Sequence, residues 1–354
     1  MIADDLTGAC DSAVMFAERG LVVEVLLERD TIPPVNGVWA ISTESRDVAE
    51  EIAVERVREA MTVAGQAREV FKKVDSVFRG NTFAEIRAAI ESFPCDLAVV
   101  SPAHPAMGRM VREGVLRVRD SATTIDLRAR LYESGLKDVA LVRRGESVPV
   151  GSKVVLTDAE TVGELRKTVV EARGAADRVL WVGSGGLAGA LACEVAPTTV
   201  AARGWHTEGV MVLFVGSDHA VTKRQMETLR ANALVFEAAI EEFSGGAREE
   251  HVVALNVVQG VTTEEQIRSA IARLFPQGIA CAVMTGGDTA MLVCRALGAR
   301  SLLLTEEFAP GLPQGVAVGG ALDQVRVVLK SGGFGSRDVL FELSHRLAKR
   351  KEFV

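Results

Sequence analysis

Residues 179–195 read VLWVGSGGLAGALACEV: an apolar run, a glycine turn, then apolar residues at helical spacing. The run Val179–Val182 is short and β-rich, as in a strand covered on both faces. Gly183-Ser184-Gly185-Gly186 forms the turn, and Leu187–Val195 carries the helical period. The pattern recurs at Val210–Val215 before Gly216-Ser217, and at Ala280–Met284 before Gly286-Gly287. Working outward, strands are expected at Leu21–Leu27, Gly37–Ser42, Val70–Val74, Asp96–Ser101, Val139–Val142, Lys153–Leu156, Ala233–Ala238, His251–Val257, Ser301–Leu304 and Val325–Leu329. Helical periods fall between them at Ala9–Arg19, Val48–Ala64, Phe83–Ser92, Ala159–Ala172, Ala220–Arg230, Glu264–Leu274 and Thr289–Leu297. Strands alternating with helices predict an α/β chain of mostly parallel sheets flanked by helices. The stretch Ala196–Glu208 lacks a clean period and precedes a strong strand, which divides the chain into domains of 1–200 and 201–354. Asp30–Asn36, Ser244–Glu249 and Thr305–Gly315 read as loops.

The chain of 354 residues is 48% hydrophobic and 25% charged, which is the composition of a globular protein. Its net charge of −7 and 5% aromatic content argue against a nucleic-acid binder, which needs a basic stripe or stacking platforms. The one basic cluster, Arg346, Lys349, Arg350 and Lys351, reads as a solvated helix tail. The five cysteines are scattered without a CxxC pair, as a reducing compartment permits. No signal peptide and no membrane-length apolar run are visible, so a cytoplasmic protein is expected.

Glycine turns at the ends of strands expose N–H groups at helix starts, where phosphate or carboxylate is the natural guest. Any one such turn is more often a tight connection with an ordinary cap; three in one chain weaken that reading without saying which anion is bound. Gly183–Ala188 also fits the dinucleotide pattern G-x-G-x-x-A, although no acidic strand end follows at the required distance. There is no Gly-Lys pair, hence no P-loop. Lys330 precedes Ser331-Gly332-Gly333-Phe334-Gly335, a further anion-cradle candidate. In the first half, Asp4, Asp5 and Asp11 surround a helix start. Carboxylates there serve as caps, as bases or as Mg²⁺ ligands. Lys73 and Asp75 share one face of a strand end, and Arg79 follows in a loop. His104 and Arg109 close the next strand; a lone histidine is more often structural.

Taken in order, IADDLTGACD, KKVDSVFRGN, PAHPAMGR, GSGGLA, VGSDHAVTKRQ, TGGDTA, PGLPQG and KSGGFG resemble the motif series of the four-carbon acid sugar kinase family. Each match is weak alone; the series and its order are specific. Departures are Asp218-His219, the pair Val77-Phe78, and a short Arg119–Ala129 segment. The resemblance implies ATP-dependent phosphorylation of threonate, erythronate or 3-oxo-tetronate, with the sugar acid on the first domain and ATP on the second. Phosphoryl transfer in general needs a base for the attacking hydroxyl; Asp11 reads as a plain cap and Asp4 as buried, which leaves Asp5 or Asp75 as the expected base, with His104 next in line. Asp4, Thr7, Lys73, Ser76, Arg79, His104 and Arg109 are the expected substrate contacts. Ser217, Gly286, Gly287, Asp288, Thr289, Lys330, Gly333 and Gly335 are the expected ATP contacts, with Mg²⁺ as co-ion and its ligands unassigned. The expected partner is a small sugar acid rather than nucleic acid or membrane, and a homodimer is the association to test. Two rivals are an NAD(P)-dependent oxidoreductase of a hydroxy acid, resting on Gly183–Ala188, and a non-catalytic sensor of nucleotide or sugar acid.

Overall fold

A computed structural model describes residues 1–28, 37–119, 121–196, 209–245 and 251–348. Met1–Leu21 with Ala40–Val200 form one compact unit, and Val22–Trp39 with Ala201–Val354 a second. The Asp30–Asn36 loop lies outside the described residues, as do most of Ser244–Glu249 and of Ala196–Glu208.

The first half contributes β1 (Ile2–Ala3), α1 (Leu6–Ala17), β2 (Val23–Leu26), β3 (Val38–Ser42), α2 (Glu50–Val63), β4 (Glu69–Lys73), α3 (Thr82–Ser92) and β5 (Leu97–Ser101). It continues with β6 (Arg109–Arg112), β7 (Val115–Val118), β8 (Thr124–Asp126), α4 (Leu127–Glu133), β9 (Ala140–Val142), β10 (Val154–Thr157), α5 (Val162–Ala175), β11 (Val179–Gly183) and α6 (Gly185–Val195). In the first unit the strands pair in parallel, in the order β3-β1-β4-β11-β5-β10-β9. Every residue of β5 and β11 is buried, as expected for strands with helices on both faces. Gly183 is level with both Lys73 and Ser101, so β4, β11 and β5 end together.

The small antiparallel sheet β6-β7-β8 and the helix α4 are absent from the sequence-based reading. Their strands are only three or four residues long and carry charges, as in RMVR and VLRV. The legible signal was Glu113-Gly114: both have positive φ, 51° and 71°, in a two-residue hairpin loop that demands it. Asp158 holds that tip by accepting from the Glu113 and Gly114 N–H groups at 2.8 and 2.9 Å.

The second half contributes β12 (Val210–Val215), α7 (Ala220–Asn232), β13 (Val235–Ala239), β14 (Val252–Asn256), α8 (Glu264–Leu274), β15 (Ile279–Thr285), α9 (Gly287–Ala296), β16 (Ser301–Ala309), β17 (Leu312–Val318), β18 (Arg326–Lys330) and α10 (Val339–Ala348). In the second unit β13-β14-β12-β15-β18 are parallel, and β17, β16 and β2 extend the sheet in antiparallel fashion. The expected loop at Thr305–Gly315 is therefore corrected: it is a β-hairpin turning at Pro310-Gly311, where Gly311 has φ +76°. Glu306 and Glu307 are both engaged there; Glu306 accepts from Gln314 Nε2 at 2.7 Å, and Glu307 from the Gly311 N–H at 2.7 Å.

Candidate active site

In the first unit the chemistry-bearing residues follow the carboxyl ends of neighbouring parallel strands: Asp4 and Asp5 after β1, Lys73 and Asp75 at β4, His104 after β5, and Gly185 after β11. That edge is where α/β sheets bind ligands. Asp5 is extended, with φ −143°, and caps α1 by accepting from the Gly8 N–H at 2.7 Å. Its other oxygen accepts from Thr7 Oγ1 at 2.9 Å and from Arg46 Nη1 at 2.6 Å.

Arg46 was not among the expected site residues, although it lies in a loop just beyond the end of β3. It bonds Asp4 Oδ2 through Nε at 2.8 Å, and its Nη2 lies 3.7 Å from Asp75 Oδ2. One guanidinium thus gathers three carboxylates that would otherwise repel one another. Burial pushes the Asp4 carboxyl up, but the charges of Arg46, Lys72 and Lys73 outweigh it and hold Asp4 below its ordinary range.

Asp75 is similarly saturated. Its Oδ1 accepts from the N–H groups of Val77 and Arg79 at 2.9 and 3.2 Å. Its Oδ2 accepts from Arg79 Nε and Nη2 at 3.1 and 2.6 Å. Burial raises its pKa, yet the bonds and charges of Arg79 and Arg46 win and bring it to about 2. The turn that presents Arg79 carries backbone strain at Phe78, whose φ is 60° and whose ring stacks on Phe83. Ser76 is half-buried and makes no hydrogen bond through its hydroxyl among the described residues.

Beneath this cluster lies a buried network. Lys72 Nζ donates to Glu85 Oε2 at 2.7 Å, Ser45 Oγ donates to Glu85 Oε1 at 2.6 Å, and Ser45 meets Thr43. It ties β4 to α3 and to the loop that carries Arg46.

A second set of groups is unsatisfied. Lys73 is buried, yet its ammonium makes no hydrogen bond or ion pair among the described residues. Asp11, within α1, accepts no hydrogen bond there either. Arg109 donates to the Met107 carbonyl at 2.5 Å, while its buried Nε has no hydrogen-bond partner among the described residues. His104 is half-buried, and burial with the charges of Arg109 and Lys73 lowers its pKa to about 4. Gly185 opens α6 between two of these groups: a Cβ there would stand 3.0 Å from His104 Cε1 and 3.5 Å from Asp11 Oδ2. Ser184 does not cap α6, because its hydroxyl turns back to the Pro102 carbonyl at 3.0 Å. The GSGGLA turn thus faces the acid–base residues of its own unit.

In the second unit Val215, Thr285 and Lys330 are level at the ends of β12, β15 and β18, and Ser217 and Gly286 follow just beyond them. Gly286 has φ +98° and starts α9 without a side-chain cap. A Cβ on Gly216 would collide with Thr289 Oγ1, and one on Gly332 with Ser217 Oγ, so three turns meet backbone to side chain. Gly287 begins α9, and the exposed Asp288 accepts from Gln259 Nε2 at 2.8 Å. The Lys330 ammonium donates to Thr222 Oγ1 and to the Ser331 and Gly332 carbonyls at 2.9, 3.2 and 3.1 Å, and burial lowers its pKa to about 8. All three of its protons are therefore engaged in bracing the 331–335 loop.

Thr222 and Gln225 also belong to that loop's support, a role not legible in TKRQ. Thr222 Oγ1 donates to the Gly332 carbonyl, and Gln225 Nε2 contacts the carbonyls of Phe334, Gly335 and Ser336 at 3.0, 3.1 and 2.8 Å. Gly333 lies 3.4 Å, at its Cβ position, from the His219 ring, and Gly335 has φ +88° beside Gln225. Among the described residues no helix is long and apolar enough to cross a membrane.

Comparison with known proteins joins the two halves. Residues 1–144 match the family model of a sugar-binding N-terminal domain, and residues 254–340 that of a nucleotide-binding C-terminal domain. The chain is 30% identical to a D-threonate kinase of Bordetella bronchiseptica, over 99% of this chain and 98% of that protein. It is 29% identical to a D-erythronate kinase of Heliobacterium modesticaldum, over 96% of this chain and 94% of that protein. A 3-oxo-tetronate kinase of Methylobacterium radiotolerans is 30% identical, over 95% and 96%. A crystal structure from Salmonella typhimurium LT2 shares the fold with a TM-score of 0.78 at 22% identity, covering 98% of both chains. Since the similarity runs the length of both chains and takes in both the carboxylate cluster and the glycine turns, the chain belongs to the four-carbon acid sugar kinase family.

Proposed function

We infer that this chain transfers a phosphoryl group from ATP to a hydroxyl of a four-carbon sugar acid. The observation that carries the reading is the division of chemistry between two parallel-strand edges. Acid and base groups collect on the unit matched as sugar-binding, and the glycine turns of 286–287 and 332–335 fall in residues matched as nucleotide-binding. Relatives that act on threonate, erythronate and 3-oxo-tetronate support the substrate class.

Phosphoryl transfer depends mainly on positioning and on stabilising charge. Lys73 and Arg109, with donor capacity left over, suit the substrate carboxylate, and Arg79 borders them. Ser217, the start of α9 and the 332–335 loop suit the phosphates, with Lys330 holding the loop in shape. Among the described residues no three His, Cys, Asp or Glu side chains form a metal cage. Mg²⁺ is commonly held by one or two carboxylates together with substrate phosphates. The exposed Asp288 is the candidate protein ligand. When bound, the ion neutralises charge on the β- and γ-oxygens.

The test is a coupled ADP-release assay over both enantiomers of threonate and erythronate, 3-oxo-tetronate, glycerate and longer aldonates. Turnover is expected with at least one four-carbon acid. Activity with none of them, or hydride transfer to added NAD or NADP instead, would overturn the reading.

A further inference from the structure

The kinase reading requires a group that accepts the proton of the attacking hydroxyl, and four aspartates of the first unit compete for that role. Their hydrogen bonds separate them. Asp5 receives donors on both oxygens, from Gly8, Thr7 and Arg46. Asp75 receives four, from Val77 and Arg79. Asp4 is bonded to Arg46 through Oδ2, and its other oxygen is sealed from solvent. Donors aimed at a carboxylate stabilise its charged form and weaken it as a base. Asp11 alone of the four accepts no hydrogen bond among the described residues, and it is half-buried rather than sealed.

Its position suits the task. Asp11 lies in the second turn of α1, and its Oδ2 faces the first residue of α6 across the space that a Gly185 side chain would occupy, with the His104 ring on the other side. The groups acting on it are Asp5 from the start of α1, Lys73 from the end of β4 and Arg109 from β6. Burial raises the Asp11 pKa above its ordinary value, and Asp5 adds to this, while Lys73 and Arg109 oppose it. Two cations with unused donors among the described residues, Lys73 and Arg109, therefore stand beside the one of these four carboxylates that accepts no donor there.

We propose that Asp11, rather than Asp5 or Asp75, takes the proton from the attacking hydroxyl of the sugar acid. The step balances simply. The substrate oxygen forms a bond to the γ-phosphorus of the nucleoside triphosphate, and its proton passes to Asp11 Oδ2. The bond from the γ-phosphorus to the bridging oxygen breaks with its electron pair, ADP leaves, and Asp11 returns the proton to water. The proposal rests on the kinase reading above.

The experiment compares Asp11→Asn, Asp11→Glu, Asp5→Asn and Asp75→Asn by steady-state kinetics, substrate calorimetry and thermal melting. Asp11→Asn should lower kcat by about 10²–10⁴-fold, with sugar-acid affinity held within a few-fold and the melting temperature not reduced. Asp11→Glu, which keeps a carboxylate, should recover part of kcat. Near-parental kcat in Asp11→Asn would overturn the proposal, and so would a loss confined to KM, which would make Asp11 a binding group. A parent chain without turnover on any four-carbon acid would overturn the kinase reading and this proposal together. An active parent with an active Asp11→Asn variant would overturn this proposal alone.

Discussion

At the scale of single residues, Arg46 decides the state of the site, because it touches Asp4 and Asp5 and approaches Asp75. Removing one partner from a buried pair costs about 3–5 kcal/mol. Arg46→Met should therefore destabilise the chain by about 3 kcal/mol at pH 7, and by less at pH 4, where the carboxylates begin to protonate. Urea titrations at the two pH values check this; an equal loss at both would remove carboxylate repulsion as the cause. Asp75 gives a separate pH signature. Its folded pKa of about 2 lies below the ordinary aspartate value, so its stabilising effect is present above that ordinary value and fades as pH falls toward 2. Asp75→Asn should lower stability at pH 7 by about 2 kcal/mol and flatten acid unfolding between pH 4 and 2, as read from melts across that range. The types and order of Asp5, Lys73, Asp75 and Arg79 were legible in the sequence. Which carboxylates carry donors was not, since Arg46 reaches them across about forty residues of chain.

At the scale of elements, two supports hold the strand ends in place. The Lys72–Glu85 pair fastens β4 to α3, with side-chain exposures of 0% and 2%. Glu85→Gln leaves a buried ammonium and should cost about 3–5 kcal/mol, whereas Lys72→Met with Glu85→Leu should fall close to the parent. A double variant as unstable as the single one would show that packing, not charge, sets the cost. In the second unit Gln225 spans from α7 to the 334–336 carbonyls. Gln225→Leu should weaken ATP binding at least tenfold by calorimetry while lowering stability by only about 1–2 kcal/mol. Unchanged ATP affinity would separate that loop from the nucleotide. The parallel strands were legible because continuous apolar runs between helical periods have few other readings. The β6-β7-β8 sheet was not, because short charged strands gain their stability from pairing rather than from local pattern, and the β16–β17 hairpin was not, because its turn-rich stretch Glu306–Gly315 lacks a clean alternation.

At the scale of the whole molecule, the residues of β2 lie early in the chain but belong to the second unit, where β2 pairs with β16. A fragment starting at residue 201 lacks that strand and leaves the edge of β16 that faces β2 unpaired. It should self-associate, and a fragment that restores Val22–Trp39 through a linker should not. Light scattering of the two fragments decides; equally monomeric fragments would show that β2 is dispensable. The sequence by itself determined the α/β class, the parallel strands and the turns where ligands are met, because these follow from short-range periodicity and from what glycine permits. Tertiary structure alone decided that β2 joins the second unit, that Arg46 gathers three carboxylates, that Lys330 braces a loop, and that Asp11 accepts no donor among the described residues. Each of these depends on long-range pairing and on which buried groups satisfy one another, and neither is written in local spacing.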